Sequence, residues 1–470
     1  MVTVDSFIKD YTKEILEDNA AIFAGAGLSV ASGYVNWKDF LRDIANDLGL
    51  DIDKENDLLA IAQYHVNERK NRGKINQEII NKFTKDVIET ETHNILARLS
   101  IRTYWTTNYD TLIEKSLESN NKKIDSKIDS KSLAFNVPNR DAVVYKMHGD
   151  ISIPSDAIIT KDDYETYNIN RKLFTTALQG DIVTKTFVFI GFSFEDPNLS
   201  YILSRIRILL GENQRQHYAL FKKLNKSAFN SDANYEYANN KQRLMLEDLK
   251  RYAIESVMID EYSDIPNIFS RIEIRINKKN IFISGSADSY GDWKTTEAVE
   301  LINKLTEKLI LNNCKIISGF GLGIGSFVIN RAIQTINKFK YRHYDEYLEL
   351  NPFPFQLSDD DKLKFNKNYR SRILSHCGIA IFIFGNKKKN NDIIIADGVI
   401  EEFKISKENG LFLIPIGSTG FASSQLSDEI KNNLNDYKYL QTNINILDSS
   451  KNIDDIVNSV LSIVNEVMGG

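Results

Sequence analysis

Apolar residues recur along this chain in two alternating rhythms. Val4, Phe7, Ile8, Tyr11, Ile15 and Leu16 share one face at 3.6-residue spacing, which predicts an amphipathic helix over 3–18. The apolar run Ala20–Ala24 follows and breaks into Gly25-Ala26-Gly27, as a strand does on entering a tight turn. Helical spacing returns over 37–48, 55–68 and 74–88, and a second strand, Thr103–Thr106, gives way to a helix reaching about residue 117. Further strands end at Lys146 and Ile190. Helix 198–210, strand 217–221, helix 235–251, strand 254–259 and helix 263–276 complete this half. The polar near-repeat NNKKIDSKIDSKS, residues 121–133, reads as an exposed loop.

After Asn277-Lys278-Lys279-Asn280 the alternation restarts with a strand at 281–284. Helix 295–311, strand 315–318, helices 325–338 and 366–376, strand 378–384, helix 398–407, strand 411–416 and a final helix 452–467 follow. Residues 339–365, which hold Pro352 and Pro354, read as a loop excursion. Strands alternating with helices imply parallel sheets covered on both faces. The predicted architecture is α/β, two consecutive Rossmann-like open parallel-sheet domains over 1–279 and 280–470.

Composition narrows the class. A chain of 470 residues suits two or three domains, and 42% hydrophobic with 26% charged residues is the balance of a soluble globular protein. The longest apolar runs, 186–194 and 378–385, are far short of a membrane span. The opening MVTVDSFIKDYTKEIL lacks the basic-then-apolar pattern of a secretory leader, so a cytoplasmic protein with no membrane partner is expected. A formal charge of −5 argues against a general nucleic-acid binder, and Lys387–Lys389 reads as a local solvated run. Two cysteines, Cys314 and Cys377, build neither a disulfide framework nor a four-cysteine zinc site, so no metal is expected.

In open parallel sheets ligands bind at the carboxyl ends of strands. Four such loops carry candidate chemistry in the first half. Ala24-Gly25-Ala26-Gly27-Leu28-Ser29 would let a pyrophosphate approach bare backbone N–H groups, although a purely structural tight turn explains it equally well. Asn108 could hold a carboxamide or a water, or serve as an ordinary turn residue. Asp110 either binds a ribose or caps the helix beside it. His148, before Gly149, could take a proton from a ribose hydroxyl, against the competing reading of a satisfied core histidine. Gly191-Phe192-Ser193 ends the fourth strand, with Asp196-Pro197-Asn198 capping the next helix. In the second half, Ser284-Gly285-Ser286-Ala287 and Ser318-Gly319-Phe320-Gly321-Leu322-Gly323-Ile324-Gly325-Ser326 follow strands, the latter opening a helix where phosphate is favoured. Arg370, Arg372 and Lys387 could grip phosphate, and Glu401 and Glu402 could accept ribose hydroxyls, although each taken singly reads better as an ordinary surface charge.

Taken together, Gly25-Ala26-Gly27-Leu28-Ser29, Thr106-Thr107-Asn108-Tyr109-Asp110, His148-Gly149 and Gly191-Phe192-Ser193 resemble, in order, the marks of the sirtuin family. The resemblance implies NAD+ as substrate, bound by Ala24, Gly25, Ala26, Ser29, Asp110, Gly191 and Ser193. It also implies cleavage of the nicotinamide–ribose bond, with Asn108 positioning water or nicotinamide and His148 as base. Gly33-Tyr34-Val35-Asn36-Trp37 replaces the GIPDFR-like segment of deacylase sirtuins, and their zinc cysteines have no counterpart. Hydrolysis of NAD+ is therefore the expected reaction; a sirtuin-like ADP-ribosyltransferase or deacylase using the same NAD site is the alternative. The second half resembles the SLOG family of nucleotide-sensing domains, and the combination resembles the effectors of Thoeris anti-phage defence. That resemblance implies activation by a cyclic ADP-ribose isomer, made by a TIR-domain partner protein and bound at Ser284, Gly285, Gly321, Gly323, Arg370, Lys387 and Glu402. Arg372 can share the task of Arg370. A homotetramer or larger homo-oligomer is implied as well.

Overall fold

The computed structural model describes residues 2–85, 87–194, 196–339, 343–353 and 359–469, the last span by backbone alone as far as residue 364. The chain divides into two compact units, Met1–Glu273 and Ile274–Gly470, the division falling inside helix Ile265–Asn277.

The first unit carries seven strands: β1 Ala20–Ala24, β2 Thr103–Thr106, β3 Ile124–Lys127, β4 Ala142–Lys146, β5 Thr186–Ile190, β6 His217–Lys222 and β7 Ile254–Ile259. They form one parallel sheet in the order β3-β4-β2-β1-β5-β6-β7. Every residue of β1 and β5 is buried, as expected of central parallel strands covered on both faces. Their register runs from Ala20 opposite Thr186 to Ala24 opposite Ile190, so the two strands end level. From β1 the chain steps to β2 on one side, and β5 lies on the other. The crevice of the sheet therefore opens between the ends of β1 and β5. Below it, Trp105 stacks on Tyr145 at 4.3 Å and donates through Nε1 to Asp181 Oδ2 at 2.8 Å.

Several elements differ from the sequence pattern. The polar stretch 121–133 contains edge strand β3, paired in parallel with β4. Its inward side chains are Asp125 and Lys127, joined at 2.8 Å, and Lys127 Nζ also donates to Ser132 O at 3.0 Å. Hydrophobic periodicity carries no signal for a strand whose buried side chains are charged. Helices Glu91–Arg98 and Lys172–Thr184 are additional to those predicted. The helix expected over 55–68 is Leu58–Arg69, preceded by a 3-10 turn, Ile52–Lys54, and its N-cap Asp57 accepts from Ala60 N at 3.1 Å. The helix expected over 74–88 is Gly73–Phe83.

The second unit contributes β8 Asn280–Ser286, β9 Lys315–Ser318, β10 Leu348–Leu350, β11 Ile379–Phe384, β12 Asn386–Lys389, β13 Asp392–Ile395 and β14 Phe412–Pro415. A parallel sheet runs β10-β9-β8-β11-β14, and β12 and β13 form a separate antiparallel hairpin. The excursion at 339–365 thus includes an edge strand, β10; Pro354 lies outside the described residues. Lys387–Lys389 belong to β12, with Lys388 and Lys389 exposed. Helix Asp359–Leu374 starts before the predicted residue 366, and helix Phe421–Lys431 is additional. Helices Thr295–Leu311 and Ile453–Gly469 bury Leu301, Leu305 and Leu309 with Val460, Ile463 and Val464 in one core. Among the described residues, no helix is long and apolar enough to cross a membrane.

Candidate active site

The loops leaving β1 and β5 interlock. Gly25 N donates to Ile190 O and Gly27 N to Gly191 O, both at 2.9 Å. Gly191 has φ +64°, and a Cβ there would overlap the Leu28 amide, just as one on Gly25 would overlap Gly191 O. The glycines are required first for this meeting of two backbones. Around the junction opens a cavity of about 690 Å³, lined by Ala26, Gly27, Ser29, Asn108, Asp110, His148, Gly191 and Ser193 among others. Ala24 and Gly25 are buried behind that lining.

Asn108 is fixed by the strand before it. Thr106 Oγ1, at the end of β2, donates to Ala24 O at 3.0 Å and accepts Asn108 N at 3.0 Å. The Asn108 amide then donates to Gly25 O at 3.0 Å and Ser29 Oγ at 2.9 Å, tying the β2 loop to the β1 loop. Its Oδ1 makes no hydrogen bond among the described residues. Asp110 Oδ1 accepts Leu112 N at 3.0 Å and so starts helix Leu112–Ser119, while its Oδ2 is buried without a hydrogen-bond partner among the described residues. The Leu112 amide thus occupies one oxygen and leaves the other, while the N-cap position itself is Thr111.

His148, two residues past β4, is buried. Its Nε2 stands 3.1 Å from Asp196 Oδ2, an ion-pair distance with an alignment outside hydrogen-bond geometry. Asp196 also caps helix Pro197–Leu210 by accepting Leu199 N at 2.8 Å. Burial pushes the Asp196 carboxyl up, but the His148 imidazole and the amides of Leu199 and Asn198 outweigh it and hold it below its usual range. Tyr164 and Tyr167 meet the imidazole edge-on at 5.4 and 6.3 Å. Sequence reasoning gave Asp196 only its capping role; its place after the Gly191-Phe192-Ser193 loop was the available signal. It also missed the apolar wall of the cavity, where Trp37 stacks on Phe40 at 5.7 Å beside Phe83.

The second unit gathers a comparable cluster. Ser284, in β8, donates to Glu402 Oε2 at 2.6 Å, and Arg370 Nε donates to Glu402 Oε1 at 3.2 Å. The Arg370 guanidinium covers the Phe353 ring at 4.8 Å. Burial pushes the Glu402 carboxyl up despite both partners. A Cβ on Gly321 would overlap Gly285 O, and Ala287 N donates to Leu322 O at 2.7 Å, so the two glycine-bearing loops touch here too. Gly323 O accepts the Tyr290 hydroxyl at 2.8 Å. Lys387 Nζ lies 2.6 Å from Asp397 Oδ2, at the start of helix Asp397–Glu408 that carries Glu402. Arg372 is exposed and lies over Tyr369 at 5.4 Å.

Comparison with known proteins follows the same division. The model of the SIR2-like domain matches residues 102–243, and that of the Sir2- and TIR-associating SLOG family matches residues 264–467. The chain is 44% identical over 470 residues to the NAD(+) hydrolase ThsA of Bacillus cereus (strain MSX-D12), covering 98% of each chain. It is 46% identical to the NAD(+) hydrolase ThsA of Acinetobacter baumannii (strain 532279), covering 90% of each. A 23% identity to the defense-associated sirtuin 2 of Bacillus subtilis covers 74% of this chain and 36% of that one. With both domain families in this order and relatives aligned along nearly its whole length, the chain belongs to the ThsA family of NAD(+) hydrolases.

Proposed function

We propose that this chain hydrolyses NAD+ to ADP-ribose and nicotinamide in the cavity of the first unit, and that a cyclic ADP-ribose isomer bound by the second unit activates it. The reading is carried by one observation: in a chain of this family, Asn108 and His148, from separate strand ends, open onto the same cavity at the β1/β5 crevice. The C1′–N bond of NAD+ breaks with its electron pair leaving on nicotinamide. The carboxylates of Asp110 and Asp196 offset the positive charge that develops on the ribosyl group. Asn108 Oδ1 accepts from the attacking water or the departing carboxamide, and His148 takes the proton as the water oxygen joins C1′. Water and NAD+ are consumed, and ADP-ribose, nicotinamide and a proton result.

In the second unit Arg370 and Lys387 supply positive charge for the activator's phosphates and Glu402 accepts its ribose hydroxyls, with Ser284, Gly285, Gly321 and Gly323 shaping the pocket. The activator acts by preferring the active arrangement of the enzyme. A TIR-domain protein as its source agrees with the Sir2- and TIR-associating family matched here. Depletion of NAD+ in the cytoplasm then serves anti-phage defence. Exposed Tyr201, Ile208 and Leu209 on helix Pro197–Leu210 are consistent with a homo-oligomer, a tetramer or larger. The test is chromatography of products after incubation with NAD+, with and without cyclic ADP-ribose isomers. Nicotinamide and ADP-ribose in equal amounts, increased by an isomer, are expected. No nicotinamide under any condition overturns the reading, and ADP-ribose appearing on protein instead favours transfer.

A further inference from the structure

The strand-end segment Lys146-Met147-His148-Gly149-Asp150 holds a second charged group that the hydrolytic scheme does not use. Lys146, the last residue of β4, is fully sealed from solvent. Its ammonium donates to Tyr109 O at 3.0 Å and to Asp110 O, the two residues directly after Asn108. Asp150 Oδ2 lies 2.5 Å and Glu114 Oε1 3.3 Å from it, and burial pushes the Glu114 carboxyl up. Burial favours the neutral amine, but the carboxylates outweigh it and keep the ammonium protonated. A buried lysine has three donors and no water, so each must find an acceptor within the protein. Two of the acceptors it finds are main-chain carbonyls of the loop that presents Asn108 and Asp110 to the cavity.

We propose that Lys146 is a positioning residue for NAD+ cleavage, its buried ammonium locking the 107–110 loop so that Asn108 and Asp110 meet the substrate in a fixed geometry. Misplacement of reacting groups by about 1 Å lowers rate about 100-fold, so the lock acts on turnover more than on affinity. The rate effect rests on the NAD+ reading of the cavity; the effect on loop order does not.

The full chain is compared with Lys146→Met/Asp150→Asn, which removes the closest ion pair as a unit, and with the isosteric Asp150→Asn. Phe269→Leu, a core change on helix Ile265–Asn277, controls for general loss of stability. Two quantities are measured: kcat and KM for nicotinamide release, and amide hydrogen exchange over 107–111. The double variant is expected to lose about 100-fold in kcat with KM within threefold of wild type. Exchange over 107–111 should rise at least tenfold relative to β7. Asp150→Asn is expected to raise exchange there by a smaller factor, and Phe269→Leu to leave both kcat and that segment unchanged. A folded double variant with kcat within threefold of wild type overturns the proposal. If it does not fold, unchanged exchange at 107–111 in Asp150→Asn overturns it. A wild type that releases no nicotinamide either with or without cyclic ADP-ribose isomers sinks the NAD+ reading, and exchange alone then decides whether Lys146 holds the loop.

Discussion

Replacing Asn108 with alanine separates what that side chain does for the fold from what it does for the chemistry. Its amide makes two hydrogen bonds, to Gly25 O and Ser29 Oγ. At about 1 kcal/mol net for each, Asn108→Ala should destabilise the first unit by about 1–2 kcal/mol. For a unit of this size that lowers the melting temperature by about 2–8 °C. A typical domain stability of about 5–15 kcal/mol leaves such a variant almost wholly folded at 25 °C. Turnover should nevertheless fall at least about 100-fold, equivalent to about 2.7 kcal/mol on the barrier, because the group proposed to orient water or nicotinamide is gone. Thermal melts and nicotinamide release on the same preparation distinguish the two effects. Ser29→Ala, which removes one acceptor and leaves the amide on Gly25 O, should lose less than about tenfold. An Asn108→Ala enzyme with kcat within threefold of wild type would refute the reasoning.

Three further outcomes are expected. His148→Ala should lower kcat by about 10²–10⁴-fold, and Asp196→Asn, which can still cap helix Pro197–Leu210, should lower kcat at nearly unchanged melting temperature; wild-type turnover in both would remove the imidazole–carboxylate pair from the mechanism. Nicotinamide release should survive treatment with a chelator, since Cys314 and Cys377 are single buried thiols and no group of three metal-ligating side chains occurs among the described residues; activity lost to the chelator and restored by zinc would contradict this. Arg370→Met should weaken activation by cyclic ADP-ribose isomers and make stability more pH-dependent. Glu402 already has its carboxyl raised by burial, and the folded variant binds its proton more tightly than the unfolded chain does. That contribution is present below the unfolded carboxyl range of about 4.3 and is lost as pH rises through the folded value, so melting temperatures should fall toward neutral pH more steeply than in wild type.

The central strands were legible because β1, β5 and β11 are continuous buried apolar runs, and their loops because a parallel sheet places ligand chemistry at strand ends. What escaped was stabilised through space by polar groups. Strand β3 buries Asp125 against Lys127, and Asn386–Lys389 becomes a strand only through pairing with Asp392–Ile395. Within the cavity the same limit applies. Asn108 and His148 end strands and announce themselves, whereas Asp196 reads as a helix cap and Lys146 as an ordinary strand end. The further roles proposed for them depend on β4 and the loop after β5 approaching the same point, which local spacing does not encode.

Both units solve one construction problem alike, and under the proposed function they put the result to different uses. Glycines let two strand-end loops touch, at Gly25 and Gly191 in the first unit and at Gly285 and Gly321 in the second, and nearby polar side chains bind one another. In a catalytic cavity such commitment is an advantage, since groups already held in place need no reorganisation as charge develops. In a sensing pocket it sets a threshold. Glu402 is occupied by Ser284 and Arg370, and Lys387 by Asp397, so a ligand that uses these groups must exchange existing contacts for its own. Reversing a 99:1 preference for an inactive state needs about 5.5 kcal/mol of differential binding, and a charge-assisted hydrogen bond contributes about 1.5–3 kcal/mol. Two contacts at the upper figure, or about four at the lower, formed only in the active state reach it, and one fewer does not. The activator response should therefore fail steeply on loss of any one cationic contact, while simple occupancy of the pocket declines more gradually.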